Sequence, residues 1–444
     1  MHASILKTAR IASVLLMTIV AFVVVGIAAA CAPATAPAIA PTVQAPARAP
    51  ANAPTAPAPT SAPAPAPTVA AAAPTAAPSA TKISALDFRN AMRKLWEDHI
   101  TFTRLYIISV AHDLPDKDAT AQRLLANQAD IGNAVKPFYG DGAGDQLTAL
   151  LKDHILGAAD LLAAAKAGDK AKVDAASTKW YQNANDIAAF LNRANEKNWP
   201  LPAMQEAMKT HLDQTLKEAV DRLQGKYADD IKDYDAVHAH ILDMADVLSN
   251  GIIAQFPDKF DTRANAQETA FRLAMRKLWE DHVTWTRLYI ISAAHDLPDK
   301  DATAQRLLAN QTDIGNAVKS YYGEDGGTKL TSLLKDHILG AADLLAAAKA
   351  GDKAKVDAAS TKWYANADDI ATLLNGANPK NWPLADMKAA MKAHLDQTLK
   401  EAVDRLQGKY ADDIQDYETI HNHILKMADI LSSGIIAQFP DKFQ

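Results

Sequence analysis

Met92-Arg-Lys-Leu-Trp-Glu-Asp-His99 returns, letter for letter, as Met275-Arg-Lys-Leu-Trp-Glu-Asp-His282, and this repetition decides how the chain is read. Working outward from it, residues 92–260 and 275–443 stay in register, 183 positions apart, without a gap. Leu151-Lys-Asp-His154 recurs as Leu334-Lys-Asp-His337, and Gln255-Phe-Pro-Asp-Lys-Phe260 as Gln438-Phe-Pro-Asp-Lys-Phe443. Solenoid units run to about 20–50 residues, so this period is a domain rather than a solenoid repeat. The chain therefore divides into residues 1–30, 31–81, a first module at 84–260 and a second at 267–443.

Each module is predicted to be all-α. Apolar residues recur at spacings of three and four, and no segment alternates long enough to argue for a sheet. In the first module the pattern gives six helices, at about 85–112, 118–136, 143–167, 170–195, 202–224 and 228–255. Leu114-Pro115 stops the first, since proline lacks the N–H a helix interior needs. Pro137 with Gly140 and Gly142 stops the second. Gly168, the Pro200-Leu-Pro202 stretch, Gly225 and Pro257 mark the remaining breaks. Short connections between long helices predict antiparallel neighbours, so the expectation is two tandem up-down bundles of about six helices each. A fainter internal repetition suggests three related hairpins per module, with the last helix pairing with the first. Asn127-x-x-Asp130 and Asn183-x-x-Asp186 are its clearest elements, and Asp243-x-x-Asp246 is the third match.

The N-terminus reads as a targeting segment. Lys7 and Arg10 precede an uncharged apolar run from Ile11 to Ala30, which leads into Cys31, the only cysteine of the chain. This resembles a bacterial lipoprotein signal, with Ala28 where that pattern favours leucine. The resemblance implies cleavage, lipidation of Cys31 and attachment to a membrane of the cell envelope. An uncleaved membrane helix and plain secretion are the other readings. Residues 32–80 are almost all Ala, Pro and Thr. They have little to bury and predict a disordered, polyproline-like stalk of about 3 Å per residue where extended.

Composition removes several functions. The modules hold no cysteine, which excludes thiol catalysis, thiolate zinc sites and iron–sulfur clusters from them. Lys plus Arg number 46 against 52 Asp plus Glu, without a basic block beyond the leader, which argues against nucleic acid as a partner. The Glu-x-x-His pairs of di-iron bundles and the His-Glu-x-x-His of metalloproteases are absent. No catalytic signature stands out.

The histidines supply the candidate site. His99, His154, His211 and His238 fall within the apolar stripes of their helices, as do His282, His337, His394 and His421 in the second module. Those on the first, third and fifth helices sit mid-helix, a common level in an antiparallel bundle. A buried imidazole needs a partner for each nitrogen. Three or four converging rings could hold zinc, copper, nickel or iron, with Asp98, Asp153, Asp213 and Asp246 as further ligands or supports. The competing expectation is a polar core in which Asn127, Asn183 and Tyr106 satisfy the rings. A buried haem or small organic ligand is a third. An open centre would need small residues, Gly157 and Ala158, along a channel. His112 ends the first helix, where a cation would complement the dipole. Trp96, Trp180 and Trp199 are read as packing anchors.

The strings L-W-E-D-H-[IV]-T-[FW]-T-R-L at 95–105 and 278–288, N-Q-x-D-I-G-N-A-V-K at 127–136 and 310–319, L-L-K-D-H-I at 150–155 and 333–338, and N-W-P-L at 198–201 and 381–384 resemble a family of small bacterial all-helical proteins. That family has no established activity and sometimes carries a glycosyltransferase label. The resemblance covers both modules and implies that one module is the usual unit, duplicated here. Nucleotide-sugar transfer would call for an α/β fold, and no strand precedes any acidic motif. Three functions follow as expectations: a tethered extracytoplasmic lipoprotein binding a metal or small ligand in each core, a structural or interaction protein whose histidines only pack, and a metal-dependent enzyme.

Overall fold

The computed structural model describes residues 82–263 and 265–444. The expected leader, the lipidated Cys31 and the stalk lie outside these residues. The described chain is all-α and forms one compact unit from Lys82 to Gln444. Its first bundle comprises α1 (Ala85–Ala111), α2 (Lys117–Tyr139), α3 (Asp141–Lys166), α4 (Lys170–Ala194), α5 (Leu201–Leu223) and α6 (Tyr227–Gln255). The second repeats it as α7 (Ala266–Ala294), α8 (Lys300–Lys349), α9 (Lys353–Ala377), α10 (Leu384–Leu406) and α11 (Tyr410–Gln438). Helix α8 corresponds to α2 and α3 together, broken at Gly323, whose φ of 76° is left-handed. Two-residue strands, β1 (Ile83–Ser84) and β2 (Phe260–Asp261), pair in parallel and tie the start of the first bundle to its end.

Local chemistry sets the helix ends. Ser84 caps α1 by accepting from the Asp87 amide, and Asp169 caps α4 by accepting from the Lys172 amide. Gly168 and Gly225 take the left-handed conformation that closes α3 and α5 at no side-chain cost. Pro137 does not end its helix as expected. It falls in the last turn of α2, where the missing N–H forfeits one bond only, and the helix runs on to Tyr139.

Within a bundle each helix packs on its neighbours in sequence, and α6 packs on α1 to close a ring. Helices α1, α3 and α5 also touch one another across the middle. They run in the same direction, so their mid-helix residues share a level. The last helix packs on the first as expected, but the contacts that repeat run within α1–α2, α3–α4 and α5–α6 rather than within α2–α3, α4–α5 and α6–α1.

Two close approaches fix the ring. Helices α2 and α3 meet at Gly132 and Gly144, where a Cβ on Gly132 would lie 2.0 Å from Thr148 Oγ1 and 2.5 Å from the Gly144 carbonyl oxygen. Backbone cannot retreat from such an atom cheaply. Gly132→Ala is therefore expected to cost about 1–3 kcal/mol by overpacking, read as a lower urea midpoint. The 195–200 loop is pinned to α6: Asn195 donates to the Gly251 carbonyl at 2.9 Å, and Trp199 Nε1 donates to the Val247 carbonyl at 3.2 Å. Trp96, Trp180 and Trp199 are all buried, as packing anchors should be.

The two bundles face each other about a pseudo-two-fold axis. Arg222 donates to Asp299 at 2.7 Å, and Arg405 returns the contact to Asp116 at 2.8 Å. Arg306 pairs with Asp235, and Arg123 with Glu418. The Tyr234 ring meets Trp285 edge-on at 5.6 Å, and Phe102 meets Tyr417 at 6.1 Å. Residue i touching j while j's counterpart touches i's is the mark of an isologous interface, here within one chain.

Candidate metal centre

His99 on α1, His154 on α3 and His211 on α5 meet at the centre of the first ring. Their ring centroids lie 6.1 Å (His99–His154), 5.6 Å (His99–His211) and 5.9 Å (His154–His211) apart. His282, His337 and His394 repeat this triangle at 6.2, 5.6 and 5.9 Å. In each set, one ring nitrogen per histidine lies within 4.8 Å of the other two. Nitrogens on one metal at 2.0–2.1 Å sit about 3.3–3.6 Å apart, so small side-chain rotations would close the set.

The surroundings fix which nitrogen faces inward. Gln128 spends its amide N–H groups on the Leu124 carbonyl and on Asn127 Oδ1, which leaves its oxygen to accept. His99 Nδ1 lies 3.2 Å from that oxygen and must be the protonated nitrogen. Asn183 donates to the Leu150 carbonyl, so its oxygen likewise accepts from His154 Nδ1 at 3.1 Å. Both rings thus keep Nε2 as a bare lone pair, the form that binds metal, with the other nitrogen held by a neutral acceptor. Asn127 is not the partner of His99 as expected. It donates to the Leu95 carbonyl, and the adjacent Gln128 takes the histidine.

The third hairpin differs. His240 occupies the place of Asn127 and Asn183: its Nε2 lies 2.9 Å from the Ala207 carbonyl, four residues before His211, as Leu95 and Leu150 precede His99 and His154. A carbonyl only accepts, so His240 Nε2 carries a proton. The internal repeat is therefore His240-x-x-Asp243, three residues earlier than the sequence match at Asp243-x-x-Asp246. His211 Nδ1 has no protein partner, nor has His394 Nδ1 in the second ring.

Burial sets the ionisation. Desolvation lowers His99 to about 4 and His154 to about 3, the latter with help from the neighbouring His99. Desolvation, then His99, His154 and His240, drives His211 far below its usual value. All three rings are neutral at pH 7. Trp180 stacks on His154 at 5.4 Å, and Trp96 meets His99 edge-on at 5.6 Å.

His238 and His421 do not join the triads, contrary to expectation. They lie on the outer side of α6 and α11, against the opposite bundle. His238 contacts Glu97 through Nε2 and Asp281 of the second bundle through Nδ1, both at 3.1 Å. His421 contacts Glu280 at 2.8 Å and Asp98 of the first bundle at 3.2 Å. Burial opposes a charge on both rings. The carboxylates outweigh it, and each is pushed up to about 9. Protonated and flanked by a carboxylate on each side, these rings offer no lone pair to a metal. Desolvation and the adjacent Glu97 raise Glu280 to about 8, so the two glutamates hold one proton between them.

The expected carboxylate ligands are also elsewhere. Asp98 faces His421, Asp246 pairs with Arg93, Asp213 accepts from Tyr181 and Lys209, and Asp153 is exposed. Ala158 does line a cavity beside the triad, whereas Gly157 makes room for Trp180. His112 caps α1, and burial, then Arg222, lowers it, which disfavours the cation expected at that helix end. The signal for Gln128 in the sequence is its place beside Asn127, about 100° further round the same helix, and both are buried. No strand of the kind a nucleotide-sugar transferase fold requires occurs among the described residues. No helix among them is long and apolar enough to cross a membrane. No protein-family model, curated protein or solved structure matches the chain.

Proposed function

We propose that this protein is a membrane-tethered, extracytoplasmic metal-binding lipoprotein, with one transition-metal ion in each bundle. The observation that carries the metal reading is the convergence of three neutral, buried imidazoles whose ring nitrogens lie within 4.8 Å. Neutral histidine is the form a metal requires, and partners such as Gln128 and Asn183 are those that orient ligands. Zinc, copper, nickel and iron all suit imidazole. The tether rests on the sequence of the leader, on Cys31 and on the Ala/Pro/Thr stretch that follows. It would hold both bundles in the cell envelope.

Elemental analysis of the purified full chain tests the metal reading. Wild type is expected to retain two equivalents of metal after gel filtration, His154→Leu one, and the His154→Leu/His337→Leu pair none. Circular dichroism should show the helices intact in all three. Metal content below about half an equivalent in wild type, or unchanged by the substitutions, would leave the histidines as packing groups only. Radiolabelled palmitate incorporation, lost in Cys31→Ser, tests the anchor.

A further inference from the structure

The triads lack negative charge, and the layer beside them lacks polarity. The carboxylates that sequence reading offered as ligands are committed elsewhere, to His421, Arg93, Tyr181 and Lys209 or to solvent. One helical turn beyond the histidines on α1, α3 and α5 lies a cavity of about 40 Å³. Tyr106, Ile107, Ala158, Leu162, Trp180 and Leu216 line it, and its counterpart in the second bundle, also about 40 Å³, has Tyr289, Ile290 and Trp363 in the matching places. By that measure one water occupies roughly 10–15 Å³, so two or three small molecules fit. No acidic or basic side chain borders either cavity. The Thr103, Thr286 and Thr398 hydroxyls turn back to the carbonyls of His99, His282 and His394, which leaves Thr215 Oγ1 as an unpartnered hydroxyl on the wall of the first cavity.

This arrangement discriminates between ions. The cost of burying a charge grows with its square, and three neutral imidazoles return none of it as ion pairing. A divalent ion would have to make its own compensating anion, by taking a water as fourth ligand and releasing a proton from it into an apolar surrounding. A monovalent ion avoids most of that cost. Copper(I) is the monovalent transition ion that accepts imidazole and is content with three ligands. Trp180 and Trp363, which stack on His154 and His337, also border the cavities, so the space on that side of each triad is apolar and favours an uncharged occupant.

We infer that each histidine triad takes copper(I), and that the apolar cavity beside it admits a small uncharged diatomic ligand of the dioxygen, carbon monoxide or nitric oxide class to the metal's open face. The inference rests on the metal reading above and narrows it.

The test uses the full chain under reducing, oxygen-free conditions. Copper(I) is titrated against a chromogenic copper(I) chelator, and zinc(II) against a zinc indicator. Carbon monoxide is then added as the probe and its infrared stretch recorded. Two equivalents of copper(I) are expected, held about 100-fold or more tightly than zinc(II) because of the charge penalty. A carbon monoxide band should appear at both sites. Ala158→Leu with Ala341→Leu should fill both cavities, keep two equivalents of copper(I), and weaken carbon monoxide binding by about tenfold or more through lost space. Zinc(II) binding as tight as copper(I) would overturn the choice of ion. A copper(I) form with no carbon monoxide band, or with a band indifferent to the leucines, would overturn the ligand route. If the leucine variants fail to fold, the wild-type band alone decides the route. Binding of no metal at all would instead sink the metal reading itself, a result distinct from the other two.

Discussion

Asp299→Ala is expected to lower the stability of the whole chain by about 3–5 kcal/mol, the typical cost of leaving a buried charge without its partner. Arg222 is fully buried and donates to Asp299 across the bundle interface at 2.7 Å. Its remaining partner, Asp230 at 2.9 Å, is already shared with Arg104. Removing Asp299 leaves Arg222 with Asp230 alone, which Arg104 also uses, and burial raises Glu218, the other carboxylate of the group, to about 7, so that it carries only part of a charge at neutral pH. Asp116→Ala should cost the same, because it accepts from Arg405 in the mirrored position. The two sites have no partner in common, so the double variant should lose the sum to within about 0.5 kcal/mol. Urea unfolding followed by circular dichroism measures all three. A loss under about 1 kcal/mol in either single variant would mean that water reaches these arginines.

The second large effect is on pH. Six triad histidines are neutral in the fold and lie well below their unfolded value, with His99 at about 4 and His154 at about 3. Below pH 6.5 the unfolded chain takes up protons that the fold refuses, so stability falls steadily as pH drops from about 6.5 towards 4. His238 and His421 behave oppositely. Each sits at about 9 in the fold, so each contributes fully below 6.5 and loses its contribution as pH rises through 9. The urea midpoint should therefore be highest near pH 6.5 and fall on both sides, towards 4 on the acid limb and towards 9 on the alkaline one. His238→Gln should flatten the alkaline limb and leave the acid limb in place. His154→Leu should do the reverse. An alkaline limb unmoved by His238→Gln would show that the imidazolium is not what holds that face. Metal loading should follow the triad values, persisting at pH 5 where an exposed histidine cluster would have let go.

Much of this was legible in the residues. The glycines and prolines that punctuate the chain placed five breaks within a few positions, because left-handed corners and missing donors act locally. The shared level of His99, His154 and His211 followed from their mid-helix places on three helices of one direction. What remained hidden was contact between distant faces. The apolar stripe on α6 shows that His238 is buried but cannot say whether its own ring or the other bundle covers it. Here the neighbour is Asp281, 43 positions along the chain. Gln128 rather than Asn127 meets His99 because one residue turns a helix by about 100°, finer than a periodicity resolves. His240 escaped notice as the third member of the hairpin set because a histidine stands where its counterparts are asparagines.

The mirrored contacts between the bundles carry a rule for how the two halves can drift apart. Away from the seam a change in one half needs no answer in the other: the position of Asp243 is held by Lys426 in the second copy, and that of Pro137 by Ser320. At the seam every change is felt by the opposite half. Asp235 and Glu418 differ in length, and Phe102 and Trp285 in bulk, yet each still meets its own arginine or tyrosine across the divide. Either half alone would expose the buried arginines and carboxylates of the seam until a second copy, or the other half, covered them. Each module thus serves as the other's built-in partner, at an effective concentration set by the short link between them.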